Sequence, residues 1–449
     1  MWLANTYCCK YQEVFMSDPF FCGNPVPPDQ FLDRRRELRR VAGRIVNQGQ
    51  STAIVGEPRS GKTSLLLYLA APETRDGLYE PDGQRLVFSS IDNQVLGGDC
   101  NQARFWELAL HPLYESVIAP DLNSLLAQAY QTCQRNAFGT FTLERLFAQM
   151  NVEGRRLVLL LDEFDVLLHH AVLSCAEFFG GLRSLASRCR ALALVIASRR
   201  PLTDLNKDTQ QFSRTGSPYF NFLDEITLGP LPNKAIVELL DRAEGRFTAD
   251  DRCFIERVTG GHPYLLQAAA AELWDIYAEG KGGSDRRWQQ VGQNLYDKAA
   301  LILEDTWRLW SPAMRKAFTI VALADVAKML EQRQFYTAPL VRDKRDVEPE
   351  LRLLGKQGFV TEDQTAPTGW RVRPQAFLWW LADELVRTVR DETSFEEWLQ
   401  KQDLGFLLTR GEKEQLGKAV HAVTGLLKDG AATLIQAAAG GVGAAMVAG

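Results

Sequence analysis

No framework of paired cysteines holds this chain. Its eight cysteines are scattered. Cys100, Cys133, Cys175, Cys189 and Cys253 fall singly, which excludes a disulfide scaffold and predicts reduced thiols. Cys8, Cys9 and Cys22 gather near the N-terminus, but no second ligand cluster accompanies them as a zinc site would require. Neither sign of charge dominates: 51 Lys and Arg against 56 Asp and Glu leave a net charge of −5. No global field therefore draws the chain to nucleic acid, although a local basic face is not excluded. The N-terminus lacks an uninterrupted apolar run, so no secretory signal is read and a cytoplasmic location is expected. Residues 1–15 differ in character from the segment after them, and Met16 is a plausible alternative start. The composition as a whole, 46% hydrophobic and 24% charged over 449 residues, describes a globular protein of about two to four domains.

Against this plain background one stretch stands out. Gly56-Glu57-Pro58-Arg59-Ser60-Gly61-Lys62-Thr63 is a complete phosphate-binding loop. The two glycines let consecutive backbone N–H groups turn inward on phosphate oxygens. Lys62 is spaced to reach the β- and γ-phosphates, and the Thr63 hydroxyl to ligate Mg²⁺. The β-like run 51–55 precedes the loop, and a helix start, Ser64 onward, comes after it. Strand, loop and helix N-terminus together make an anion site, and ATP with Mg²⁺ is the expected ligand.

Such a loop needs a metal-ordering carboxylate and a base. Leu157–Leu161 is an unbroken apolar run, the mark of a buried parallel strand, and it ends in Asp162-Glu163. Asp162 is expected to order the metal and Glu163 to polarise the attacking water. Asp165 is a third acid, read as a helix N-cap. Further strands are expected at 86–91, 191–197 and 222–228. The fourth strand ends in Ser198-Arg199, where a polar side chain and a cation would meet the γ-phosphate or its attacking water; the bland alternative for Arg199 is a solvated loop charge.

Together these motifs resemble the signal-transducing (STAND) P-loop ATPases within the AAA+ class, which also includes origin-recognition ATPases. The resemblance covers roughly residues 17–390. Phe31 to Leu38 is similar to the family's Phe-x-Gly-Arg-x-x-Glu-Leu segment near adenine, which implies nucleotide contacts from Phe31 and Arg34; Asp33 stands where the family has Gly. Leu228-Gly229-Pro230-Leu231 resembles the approach to a helical lid. Thr259-Gly260-Gly261-His262-Pro263-Tyr264 resembles the lid's Gly-x-Pro signature, which implies that Pro263 touches the base; His262 is either a second contact or a helix N-cap. Two departures stand out. No His lies between 263 and 420 to supply the β-phosphate contact of the family's eukaryotic winged helices, and no long repeat array comes after the core.

The resulting expectation is an α/β fold. A P-loop NTPase parallel sheet with helices on both faces is followed by a helical lid, a winged-helix domain and a helical C-terminal tail. The expected domains are a leader (1–30), an ATPase core (31–230), a lid (231–293), a winged helix (294–390) and a tail (391–449). In the winged helix, one helix runs from Ala300 through Trp310, a second from Ser311-Pro312 through Leu323, a third from Pro349 to Lys356, and 359–362 with 370–373 form the wing. Its third helix carries Glu348 and Glu350 beside only Arg352 and Lys356, which favours packing on the lid over reading DNA. Ala431–Gly449 is uncharged and rich in Ala and Gly. Three readings of it stand: a floppy tail, a self-association helix, or a segment that meets a membrane on activation. The functional expectation is an ATP-hydrolysing molecular switch that oligomerises on ATP and signals to a protein effector. The alternative is an ATP-dependent DNA-binding AAA+ protein of the origin-recognition or transposition-regulator kind.

Overall fold

The computed structural model describes residues 17–212, 217–280, 283–329, 344–427 and 429–440. The expectations for residues 1–15, for Cys8 and Cys9, and for the tail beyond 440 lie outside these residues.

Strands β1 (Thr52–Val55), β2 (Leu86–Asp92), β3 (Arg156–Asp162), β4 (Leu192–Ser198) and β5 (Asp224–Thr227) form one parallel sheet in the order β2-β3-β4-β1-β5. Period-two alternation sends neighbouring side chains to opposite cores. Leu157, Leu159 and Leu161 of β3 join Phe105, Trp106, Phe147 and Phe178 on one face. Val158 and Leu160 join Leu38, Val41, Ile45, Leu65 and Leu69 on the other. With both faces covered, β3 and β4 are apolar throughout, which is why they were legible as unbroken runs.

The register aligns the strand ends. Val55 lies opposite Ser198 and Thr227, and Asp92 opposite Asp162. The segments leaving β1, β2, β3, β4 and β5 therefore emerge along one edge, where open α/β sheets bind ligands.

Beyond β5 the chain is helical. Lid helices Asn233–Leu240, Ala249–Thr259 and Pro263–Ala278 share a single apolar core with helices Ser284–Leu309, Pro312–Met329 and Gln375–Thr388 and with the C-terminal helices. Helix Ser284–Leu309 runs unbroken through residue 293. The Ser311 hydroxyl caps the next helix, accepting from Met314 N at 3.3 Å. The expected hairpin is present as antiparallel β6 (Val360–Glu362) and β7 (Trp370–Val372). The helix before it differs from expectation: it spans Lys344–Gln357, with Pro349 inside rather than at its start.

The tail also takes one form over its described part. Ala431–Gly440 is a helix whose Leu434, Ile435, Ala438 and Ala439 are buried in the shared core. Ile435 packs where Gly292 leaves room, and Arg257 donates to the Ala438 carbonyl at 2.6 Å. These ten residues are docked within the chain. Among the described residues, no helix is long and apolar enough to cross a membrane.

Candidate functional site

The phosphate-binding loop leaves β1 with two backbone requirements. A side chain at Gly56 would meet Ser60 Oγ at 2.5 Å and Leu228 Cβ at 3.2 Å, so only glycine fits against the β5 exit. Gly61, at φ +93°, turns the chain into helix Lys62–Ala70. Lys62 is buried inside the curl, donating to the Gly56 and Glu57 carbonyls at 3.0 and 3.1 Å. Burial lowers its pKa, opposed by Glu163, Glu57 and Asp162.

The sheet edge delivers the partners. The Thr63 hydroxyl donates to Asp162 Oδ2 at 2.6 Å, joining the two expected metal-site residues, one from the first turn of helix Lys62–Ala70 and one from the end of β3. Both are hard oxygen donors, the chemistry Mg²⁺ takes. Asn93, just past β2, donates to the Asp162 carbonyl at 2.5 Å and steadies that strand end. Glu163 comes next in a left-handed conformation, φ 47°. Its carboxylate lies 3.2 Å from Arg199 Nε, and burial raises its pKa while Lys62 and Arg199 lower it.

Arg199 is thus no solvated loop charge. Asp165 holds it twice, accepting from Arg199 N at 3.1 Å and from Nε at 3.3 Å. The N-cap reading of Asp165 fails for a simple reason: Phe164–His169 is a 3-10 turn in which Asp165 is buried and aimed at β4. Ser198 sits deeper than its neighbour. It is fully buried, and its hydroxyl exchanges hydrogen bonds with Arg200 N and O at 3.0 and 2.9 Å.

A cavity of about 400 Å³ opens over the loop, within the usual range for small-ligand sites. Arg59, Ser60, Lys62, Thr63, Glu163 and Arg199 line its polar end, with Pro58, Gly61 and Ser64 beside them. Val26, Phe31, Leu32, Leu231, Leu239 and Pro263 give it an apolar end suited to a base. Phe31 packs on Tyr68 with centroids 4.8 Å apart. Arg34 reaches the rim, where its guanidinium donates to the Gly229 carbonyl at 2.7 Å and ties the start of helix Arg35–Gln48 to the β5 exit. The family's Gly is not needed before it: Asp33 adopts φ 53° itself, as Asp tolerates better than most residues.

Residues 20–26 strap the cavity, a role that had no local sequence signal. Phe20 is buried in the lid core, stacked on Phe247 at 5.8 Å. Phe21 N donates to Gln267 of the lid at 3.1 Å, Gly23 O accepts from Arg59, and Val26 N donates to Ser64 Oγ at 3.0 Å. Arg59 also lies over the Tyr264 ring, 5.6 Å from its centroid.

Two expected ligand residues face elsewhere. His262 is the N-cap of the lid helix, its Nδ1 accepting from Leu265 N at 3.5 Å. Burial pushes its pKa down to about 4, although the Pro58 carbonyl favours the protonated ring. Glu57 turns away from the cavity and is buried on the far side of the loop, toward Trp310. Its pKa is pushed up to about 7 by burial, with Lys62 and the Trp310 indole pulling it down. Neither Glu57 Oε2 nor Trp310 Nε1 has a well-aligned hydrogen bond. No group of three metal-ligating side chains exists among the described residues, and Cys22 is a free, exposed thiol.

The family model of Novel STAND NTPase 2 matches residues 50–281, just over half of the chain. The chain belongs to this STAND family. Its matched span runs from just before β1 to just past helix Pro263–Ala278, so it contains the loop, Asp162-Glu163, Ser198-Arg199 and the His262-Pro263 turn. This STAND NTPase is similar in fold to the Walker-type ATPase of Pyrococcus abyssi, at 16% identity and TM-score 0.47, covering 79% of this chain and 97% of that one. It is also similar to the ORC2 protein of Aeropyrum pernix in its ADPNP–ADP complexes, at 14% and 0.47, covering 90% and 97%. A third structure is the STAND protein with a tetratricopeptide repeat sensor from Pyrococcus horikoshii, at 16% and 0.33, covering 91% and 50%. No curated protein sequence matches the chain.

Proposed function

We propose that this STAND NTPase is an ATP-hydrolysing molecular switch whose nucleotide state is passed to a winged-helix module and from there to oligomerisation or a protein effector. One observation carries the reading: the phosphate-binding loop has the cavity on one side and the C-terminal module on the other. Lys62 and Arg59 face the cavity, while Glu57 faces Trp310. The contact continues past β5. A side chain at Gly229 would meet the Lys356 carbonyl at 2.6 Å, and one at Gly358 would run into the Pro230 ring. A loop that shifts on binding phosphate therefore moves against the module rather than into solvent.

In the reaction, Lys62 and the loop amides hold the β- and γ-phosphates. Thr63 and Asp162 would hold Mg²⁺, which would offset phosphate charge. Glu163 takes a proton from water as the water oxygen bonds to the γ-phosphorus. The bond from that phosphorus to the β–γ bridging oxygen breaks, leaving ADP and phosphate. Arg199 neutralises the γ-phosphate, and Ser198, from behind, shapes the turn that presents Arg199. Phe31 and Pro263 flank the base. Against the DNA-binding alternative stand two of the module's cations, which are paired within it: Arg352 with Glu348 and Arg371 with Asp363, each at 2.7 Å.

The test compares three proteins. Lys62→Ala is expected to lose nucleotide affinity by about 100-fold, and Glu163→Gln to bind ATP while turnover falls by about 100-fold. Light scattering and limited proteolysis of Glu163→Gln with ATP and with ADP then read the switch. Identical mass and cleavage patterns in both would overturn it, and wild-type turnover by Glu163→Gln would remove the base assignment.

A further inference from the structure

Arg199 stands between two carboxylates that are not equivalent. Its Nε is 3.2 Å from Glu163 Oε2 and 3.3 Å from Asp165 Oδ2, but the N–H is aligned only on Asp165. Glu163 Oε2, a buried atom, accepts no hydrogen bond among the described residues. The Arg199 backbone N–H is also on Asp165, at 3.1 Å. The two terminal Nη groups make no hydrogen bond among the described residues, and the side chain lines the cavity. Asp165 does not line it; its side chain is 7% exposed.

We propose that Asp165 is a positioning residue that sets γ-phosphate recognition through Arg199. By taking the Nε–H and the backbone N–H, it fixes the guanidinium with both Nη groups turned to the site. The same bond withholds the Nε–H from Glu163, whose buried Oε2 is left with the ion pair alone. Without the Asp165 charge, the Nε–H turns to Glu163, the nearest remaining anion. The Nη pair then leaves the γ-phosphate, and the base is neutralised in one movement. Charge-assisted hydrogen bonds of this kind are roughly twice as strong as neutral ones, so losing the charge at constant shape is enough to redirect the arginine.

This inference rests on the nucleotide site proposed above, and its test reads binding so that the two fail separately. ATP and ADP affinities are measured by calorimetry for the wild type, Asp165→Asn, Arg199→Ala and the double variant, with thermal melts to establish folding. Asp165→Asn is expected to lower the ATP-over-ADP affinity ratio by about tenfold, with ADP affinity held within about threefold. The double variant is expected to match Arg199→Ala, because a residue acting only through its neighbour adds nothing once that neighbour is gone. An unchanged ratio in folded Asp165→Asn overturns the proposal. So does an equal loss of ATP and ADP affinity, which marks a purely structural role, or a double variant well below Arg199→Ala. Absence of ATP turnover in the wild type would remove the base assignment alone, because the affinity ratio needs no hydrolysis.

Discussion

Glu57 and Lys62 occupy one loop and meet opposite sides of it. Lys62 lines the cavity, and its place there was legible because the Gly-x-x-x-x-Gly-Lys-Thr spacing imposes its geometry on a strand–helix junction. Glu57 lies in the same motif, yet nothing local shows that it turns away toward Trp310, which lies far off in sequence. Its burial has a measurable consequence. With a folded-state pKa of about 7 against an ordinary value of 4.5, the folded state favours the protonated form. The stabilisation is full below 4.5 and is lost as pH rises through about 7. Glu57→Gln removes the titration. The stability of the variant, followed through its melting temperature, is therefore expected to gain on the wild type between about pH 4.5 and 7, by up to about 1.4 kcal/mol per pH unit. Parallel melting curves across that range would show that the carboxyl is not buried in solution. Asp165 marks a second limit at this scale. Its type was visible in Asp162-Glu163-Phe164-Asp165, but its partner was not, because Arg199 is brought beside it by the pairing of β3 with β4.

At the scale of elements, strands buried on both faces were the easiest to read, since every position in β3 and β4 answers to the same apolar demand. Helix limits were harder. Ser284–Leu309 begins well before the expected segment, and Lys344–Gln357 begins before Pro349, because tertiary packing extends both beyond their local signals. The C-terminal helix was ambiguous for a sharper reason: an uncharged stretch of Ala, Leu and Ile suits a protein core, a self-association interface and a bilayer alike. In the structure its apolar residues fill the space above Gly292. Leu434 and Ile435 each contribute about 1.5–3 kcal/mol by burial. A chain ending at Gly430 is accordingly expected to melt several degrees lower, with the loss confined to the lid and C-terminal helices in hydrogen exchange. An unchanged melting curve would mean that the helix is not docked in solution.

For the whole molecule, the decisive arrangement is the joint between the nucleotide core and the C-terminal module. Pro230 lies against Gly358, which has φ +90° and no space for a side chain, and Gly229 lies against the Lys356 carbonyl. Gly358→Ala is expected to loosen this joint, both by strain at positive φ and by contact with Pro230. Its signature is ADP release accelerated by about tenfold or more in a fluorescent-nucleotide chase, with Lys62 and the catalytic edge intact. Release at the wild-type rate would show that the joint does not hold the nucleotide state. The family, the parallel sheet and the placing of the loop and the strand-end acids along one edge were set by the order of residues, because a loop between a buried strand and a helix, and acids at a strand end, obey short-range geometry. The strap from Phe20 to Val26, the Arg199–Asp165 pair, the outward turn of Glu57 and the docking of the last helix depended on the folded molecule. Each joins residues far apart in the chain, and no local pattern encodes which of several chemically suitable partners will be nearest once the cores have packed.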